Sequence, residues 1–345
     1  ITLDCGIGAI KQIEYANQIG LDIIICDHHK PKEEIPKAIA ILNPKQKDCL
    51  YPYKELSGCG VGFKFIQAFS LFMKEPFSSI KEYLDLLVVS IAADIVDVTG
   101  ENRILAFYGL KQINFAPRVG LKLLIKYLGK KSDINMTDIL FGIAPRINAA
   151  GRINHANKAV EILKTKDILQ ANQIANEIEE HNKFRKEIEK KITNEALEMI
   201  DVNKKSTVVF NKNWHKGVIG IVASRLIENH YKPTIVLAEK DGFFIGSGRS
   251  VRGFDLYEAI SKCSYLCENF GGHKYAAGVT IRKKNLIKFA VEFEKTVSSK
   301  IKKEQLIPKI DIDMQIEIQD INDKLFRIIK QFEPFGPKNP KPVFS

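Results

Sequence analysis

The sequence predicts an α/β protein built from two α/β lobes joined by a long helix. Three observations lead there. Residues 1–150 alternate short apolar strands with helical stretches such as 9–19 and 61–73, the pattern of a doubly wound, parallel-sheet domain. From about 158 to 200 a polar helical pattern runs on, with Glu177, Glu179, Glu180, Lys183, Arg185, Lys186 and Glu187 forming a solvated, mixed-charge stretch. A second α/β alternation then follows, with strands over 206–210 and 234–238 and a helix over 218–228. A charge run and a proline around Lys300 and Pro308 mark a further boundary. The expected divisions are 1–157, 158–203, 204–303 and 308–345.

In chain order, the first strand is Ile1-Thr2-Leu3, ending at Asp4 and the turn residues Cys5-Gly6. The second runs through Ile23-Ile24-Ile25, between Gly20 and Pro31, and ends in Cys26-Asp27-His28-His29. A short Ile-rich run so bounded is a core strand of a parallel sheet. Such strands deliver polar groups to the crevice at their carboxyl ends, where ligands bind. Packing does not explain two adjacent histidines at that point, and imidazoles beside carboxylates suit a divalent metal. Residues 57–62, with glycines at 58, 60 and 62, lack the Lys-Ser/Thr of a nucleotide loop and predict a tight turn before a helix. Leu84, Leu87, Val88 and Ile91 keep the spacing of one helical face, so the segment before Asp94 is a helix. Asp4, His28 and Asp94 are two carboxylates and one imidazole, a set that fits Mn²⁺ or Mg²⁺ better than structural zinc. Asp97 competes with Asp94, which sits closer to the apolar run.

The second lobe carries candidates for phosphate binding. Gly246-Ser247-Gly248-Arg249-Ser250 offers backbone N–H groups, two hydroxyls and a guanidinium within five residues, read here as a flexible turn. Gly271-Gly272-His273 allows a close backbone approach, with an imidazole at its tip. His215-Lys216-Gly217 precedes a helix whose amino end can receive an anion. Arg146 and Arg152 flank a short motif near the end of the first lobe.

Composition points the same way. The 345-residue chain carries a net charge of +11 and is 45% hydrophobic, enough for real cores and a bias toward phosphate-rich partners. Its six cysteines show no CxxC spacing and read as reduced thiols of a cytoplasmic protein. No apolar run approaches a membrane span.

Asp4 in Leu-Asp-Cys-Gly, the Asp27-His28-His29 triplet and Asp94 in Ala-Ala-Asp-Ile-Val-Asp-Val resemble successive motifs of the DHH phosphoesterases. Within that superfamily the chain resembles the RecJ family of single-strand-specific 5′→3′ DNA exonucleases. Supporting stretches are 145–152, 213–226, 246–250 and 270–278, while 332–344 resembles the entry to that family's OB-fold domain. The resemblance covers essentially the whole chain. It implies a DHH domain, a connecting helix, a smaller DHH-associated domain that closes over the strand and holds its 5′ end, and the start of an OB fold. It also implies metal-assisted hydrolysis of the phosphodiesters of single-stranded DNA, in repair and recombination. Asp4 then bridges two metals (Mn²⁺ or Mg²⁺), and His28 and Asp94 complete one site. His29 contacts the scissile phosphate or moves a proton, and Asp27 orients an imidazole. Partners implied are single-stranded DNA, a single-strand-binding protein and a helicase, with the enzyme itself a monomer. The family's Asp-x-Asp motif has no match ahead of Asp4. The chain is therefore expected to be an internal fragment with an incomplete two-metal site and weak activity. The alternatives are a DHH oligoribonuclease or cyclic-dinucleotide phosphodiesterase, and an inactive DNA-binding relative. The joining helix and 333–344 argue against the first; Asp4, His28, His29 and Asp94 argue against the second.

Overall fold

The computed structural model describes residues 1–153 and 156–345, leaving aside the side chains of Ala150, Arg152 and Ile153. The chain divides into two compact units, residues 1–179 with 312–345, and residues 180–311.

The first unit opens with β1 (Thr2–Leu3), α1 (Ile10–Gln18), β2 (Ile24–Cys26) and β3 (Ala40–Leu42). The strands form a parallel sheet in the order β1-β2-β3, with Leu3 opposite Cys26 and Cys26 opposite Leu42. The ladder runs one residue further, because Asp4 N–H donates to Cys26 O and Asp27 N–H to Leu42 O. Both aspartates therefore leave the sheet at its carboxyl edge.

Helices follow: α2 (Gly58–Phe72), α3 (Leu84–Ala93), α4 (Gly100–Phe115) and α5 (Val119–Lys126). Next come α6 (Met136–Asp138), a π-helical turn over Ile139–Ile143, α7 (Ala144–Ile153), α8 (Asn157–Lys164) and the start of α9 (Ile168–Glu198). The strand alternation expected through residue 150 thus stops at Leu42. Between β3 and the end of α9 the described residues are helical or loop, because their apolar positions recur at helical spacing. Leu87, Val88 and Ile91 of α3 are fully buried with Ile113, Leu121, Ile139, Ile143 and Ile162. Ser57 caps α2 by accepting from Gly60 N–H, so the glycines at 58, 60 and 62 open this helix, as the turn-before-helix reading requires.

The expected continuous helix from 158 is instead two. Thr165 Oγ1 accepts from Asp167 N–H, and Asp167 Oδ1 accepts from Leu169 and Gln170 N–H, restarting the helix at Ile168. Residues 312–345 rest on the first unit, with Val98 N–H donating to Pro337 O and Arg103 to Gln331 O and Glu333 O. They contain the helix α13 (Asp323–Lys330), and Met314 bridges Phe344.

The second unit contains the carboxyl half of α9, β4 (Thr207–Asn211), α10 (Ile219–Asn229), β5 (Thr234–Lys240), β6 (Phe243–Arg249), α11 (Leu256–Lys262), β7 (Cys267–His273), β8 (Ala276–Arg282) and α12 (Leu286–Lys300). The sheet order is β4-β5-β6-β8-β7; the β4–β5 pair is parallel and the other pairs are antiparallel. Along β5, Ile235 and Leu237 pack with α11 and α12, while Val236 and Ala238 pack with α9 and α10. Covering both faces explains the unbroken apolar run of that strand. No helix among the described residues is long and apolar enough to cross a membrane.

Candidate metal centre and phosphate-contact residues

The sheet edge of the first unit gathers three groups that are distant in sequence. Asp4 leaves β1, His28 leaves β2 after Asp27, and Asp94 caps the carboxyl end of α3. His28 Nε2 lies 3.2 Å from Asp4 Oδ1 and 3.3 Å from Asp94 Oδ2. The ring is buried, and its Nδ1 lies 3.0 Å from Leu56 O. A carbonyl only accepts, so Nδ1 donates to it and Nε2 is the ring atom left facing the two carboxylates. In its neutral form the ring would offer a lone pair beside two carboxylate oxygens, three donors able to converge on one cation. The donor set therefore fits a divalent metal on its own chemistry. Burial raises the carboxyl of Asp4 above its ordinary value; His28 opposes this and Asp94 adds to it.

Asp27 is almost wholly buried and does a different task. Its Oδ1 accepts from His28 N–H, His29 N–H and His29 Nδ1, the last at 2.8 Å, and its Oδ2 accepts from Ile7 N–H. Burial works against its charge, but these donors outweigh burial and hold the carboxyl below its ordinary range. His29 thus presents Nε2 outward from an exposed ring, 4.7 Å centre to centre from His28. Ligand atoms of Asp4, His28 and His29 all lie within 4.8 Å of one another. A cavity of about 490 Å³ adjoins them, lined by Asp4, Cys5, Asp27, His29, Lys30 and Lys32.

Several contributors escape a sequence reading. The Leu56 carbonyl that sets the His28 tautomer is a backbone group and leaves no mark in a sequence. Gly58 lies so close to Asp4 that an added Cβ would stand 2.2 Å from Asp4 Oδ1. Its signal, a glycine directly after a helix-capping serine, predicts only a turn. Lys30 and Lys32 were also missed, although they closely follow the histidine pair. Between the two competing aspartates, the structure sets Asp94 against His28; Asp97 uses its carbonyl to accept from Tyr53 and Asn102.

In the second unit the glycine-rich segment is a strand, not a flexible turn. Residues 246–249 lie in β6, paired with β5 on one side and β8 on the other, so the ladders engage their peptide groups. Glycine is there for packing: a Cβ on Gly246 would meet Val279 Cγ1 at 2.7 Å. Ser250 is also diverted, its N–H donating to Tyr275 O and its hydroxyl to Phe254 O. Ser247 and Arg249 stand together, with Arg249 Nη1 donating to Ser247 Oγ at 3.1 Å and to Gly248 O. Both approach Gly220 near the amino end of α10, whose cap residue Val218 supplies no side-chain hydrogen bond. His215 and Lys216 are exposed in the turn before α10. His215 Nδ1 accepts from Gly217 N–H, and Lys240 beside Lys216 lowers the lysine's pKa.

Register joins the two glycine motifs. Arg249 lies opposite Ala276 and Ala276 opposite His273; Ser247 lies opposite Gly278 and Gly278 opposite Gly271; Gly248 pairs likewise through Ala277 to Gly272. Directly opposed residues share a face, so Arg249 and His273 flank a shelf only Ala276 wide, about 10 Å across two strand spacings.

Arg146 is engaged within the first unit. It is buried, paired with Glu179 at 2.6 Å, and donates to Gly142 O and Tyr127 O. These partners give the guanidinium a structural task, joining α7 to α9. Arg152 lies in α7, and its side chain is outside the described residues.

A parallel sheet with an Asp, an Asp-His-His and a helix-end Asp at its carboxyl edge defines a DHH phosphoesterase domain. Residues 1–91 match the DHH family, N-terminal domain; 203–299 match the DHHA1 domain; 312–345 match the RecJ OB domain. The chain is 39% identical to the single-stranded-DNA-specific exonuclease RecJ of Bacillus subtilis, over 99% of this chain and 44% of the relative. It superposes on a crystal structure of exonuclease RecJ bound to manganese with a TM-score of 0.73 at 31% identity, covering 87% of this chain and 75% of that one. RecJ of Thermus thermophilus in complex with Mn²⁺ gives a TM-score of 0.90 at 30% identity, over 99% of this chain and 51% of the other. The chain belongs to the RecJ family. It spans about half the length of the curated relatives it matches.

Proposed function

We propose that this chain carries the metal centre and strand-holding surface of a 5′→3′ exonuclease that hydrolyses phosphodiester bonds of single-stranded DNA. The observation that carries the proposal is the convergence of Asp4, His28 Nε2 and Asp94 within about one ligand shell at the sheet edge. These three hold Mn²⁺ or Mg²⁺, the ions in complex with related RecJ proteins. A divalent cation there supplies Lewis-acid stabilisation of phosphoryl charge and activates water at neutral pH.

The chain's own groups do the rest. Leu56 O keeps His28 in the tautomer that leaves Nε2 unprotonated. Asp27 does the same for His29, whose outward Nε2 contacts the phosphate or moves a proton at the cavity. Lys30 and Lys32 add positive charge at its wall. In the second unit, Arg249 recognises phosphate oxygens without reading bases, and the Gly-Ala shelf between it and His273 lets a DNA backbone lie close. His215, Lys216 and the amino end of α10 add an electropositive border. The metal groups lie in the first unit and the phosphate-contact groups in the second.

The test is titration of the purified chain with Mn²⁺, followed by melting temperature and by hydrolysis of 5′-labelled single strands. A Mn²⁺-dependent stabilisation that His28→Ala removes is the expected result. Equal stabilisation of wild type and His28→Ala would overturn the metal assignment.

A further inference from the structure

Asn102, in the first turn of α4, is fully buried although it is polar. Its amide nitrogen donates to two carbonyls at once, Glu55 O at 2.6 Å and Asp97 O at 2.9 Å. Its Oδ1 is buried without a hydrogen-bond partner among the described residues. An orphaned buried acceptor costs stability, so asparagine is a poor choice here for merely holding a helix in place. What it provides is two hydrogens on one nitrogen, able to bridge two carbonyls.

The two bridged carbonyls belong to the segments that hold the metal groups. Glu55 precedes Leu56, whose carbonyl accepts from His28 Nδ1. Asp97 lies three residues after Asp94, which faces His28 Nε2. On the other side of Leu56 and of Asp94 the same two segments are tied again. Ser90 Oγ donates to Ser57 Oγ at 3.0 Å, and Asp94 N–H donates to Ser90 O. The Leu56 carbonyl and the Asp94 carboxylate each stand between two ties. The loop after Asp94 needs such a hold, because Ile95, a β-branched residue, sits in the left-handed region at φ 56°. Strain of this kind persists only where the surroundings fix it, and Asn102 and the Tyr53 hydroxyl fix Asp97 O together.

We propose that Asn102 is a positioning residue of the metal centre, its amide locking the segment whose Leu56 carbonyl orients His28 to the loop that carries Asp94. It acts through Glu55 O and Asp97 O, not through contact with substrate. Without the amide, the His28 and Asp94 supports move independently, and the distance between these two groups is no longer set before a metal arrives. The consequence for metal binding rests on the reading of Asp4, His28 and Asp94 as ligands; the clamp on His28 does not.

The experiment uses the whole chain, isotopically labelled at the histidine nitrogens, and three variants. Asn102→Leu keeps the volume and removes both donors. Asn102→Ser, acceptable near a helix start, is too short to span the two carbonyls and serves if the leucine variant fails to fold. Ile113→Ala, at a buried apolar position of the same helix, is the control and should lower the melting temperature at least as much. In metal-free protein, solvent exchange of the His28 Nδ1–H, followed by magnetic resonance, should quicken at least about tenfold in the Asn102 variants. Calorimetric Mn²⁺ affinity should fall about 10–100-fold. Ile113→Ala should leave both readouts at wild-type values. Wild-type exchange and affinity in a folded Asn102 variant, or equal changes in Ile113→Ala, would overturn the proposal. If the wild type shows no His28-dependent Mn²⁺ uptake, the metal reading falls, and the Nδ1–H exchange alone decides the role of Asn102.

Discussion

His28 and Arg249 are both polar residues next to β-strands in their units, yet their surroundings differ in kind. His28 follows the last ladder residue of a parallel strand, so its side chain projects past the sheet edge toward groups from β1 and α3. Arg249 is still inside an antiparallel ladder, paired with Thr234 and Ala276. Strand ends in parallel sheets gather groups from many parts of the chain at one point. A strand interior instead spreads groups in rows across the sheet, at spacings set by register. The first geometry suits a metal ion, and the second suits an extended polyanion.

Four tests, the first a comparison of two arginines, sharpen or break that contrast. The largest effect belongs to Arg146→Ala. Removing one member of its buried pair leaves Glu179 uncompensated and should cost about 3–5 kcal/mol of stability. Arg249→Ala, on the sheet face, should leave stability nearly unchanged and weaken binding of a 5′-phosphorylated strand about tenfold. Denaturant melts of both variants, with oligonucleotide binding, separate the two arginines. Equal losses of stability would mean Arg249 is as structural as Arg146.

Next in size is His28→Ala, which should reduce Mn²⁺ affinity by at least about a hundredfold, beyond the range typical of outer-shell losses. Calorimetric titration measures it. Gly58→Ala comes third. Helix propensity alone favours alanine by about 1 kcal/mol, but the new Cβ would force Asp4 aside. Asp4 Cβ would itself stand 2.5 Å from the new atom, so the expected outcome is a lower melting temperature with Mn²⁺ affinity lowered about 10–100-fold. Unaltered affinity would show that the Asp4 position is not critical.

The smallest effect concerns Glu294, a carboxylate held by N–H and O–H donors, as Asp27 is held by N–H donors alone. Burial opposes its charge, yet Ser206, Ser298 and the N–H of Lys205 and Ser206 bring its pKa below 4.5. A folded value below the unfolded one means stability that is present above 4.5 and lost as pH falls through the folded value. Glu294→Gln should cost about 1 kcal/mol at pH 7, after allowance for solvent screening. The deficit should narrow below pH 4.5. A gap that stays constant from pH 7 to pH 3 would show that the carboxylate's charge is not what stabilises this corner.

The local chemistry was legible in the sequence wherever it depended on neighbours in the chain. The Ile-rich strand running into Asp27-His28-His29, the helical face of Leu84, Leu87, Val88 and Ile91, and the resemblance to the RecJ family all follow from short-range pattern. So does the chain's bias toward phosphate, through its +11 charge. Tertiary structure alone decided the rest. The His28 tautomer depends on a carbonyl twenty-eight residues away. Arg146 and Arg249 looked alike as phosphate contacts, and only burial against Glu179 separates them. Glycines at 246 and 248 signal freedom in a sequence, but in the sheet they mark where Val279 and Leu256 come too close for a side chain. The alignment of Arg249 with His273 rests on the register of β6, β8 and β7. Patterns encode what each residue prefers nearby; contacts between distant segments depend on how whole elements pack.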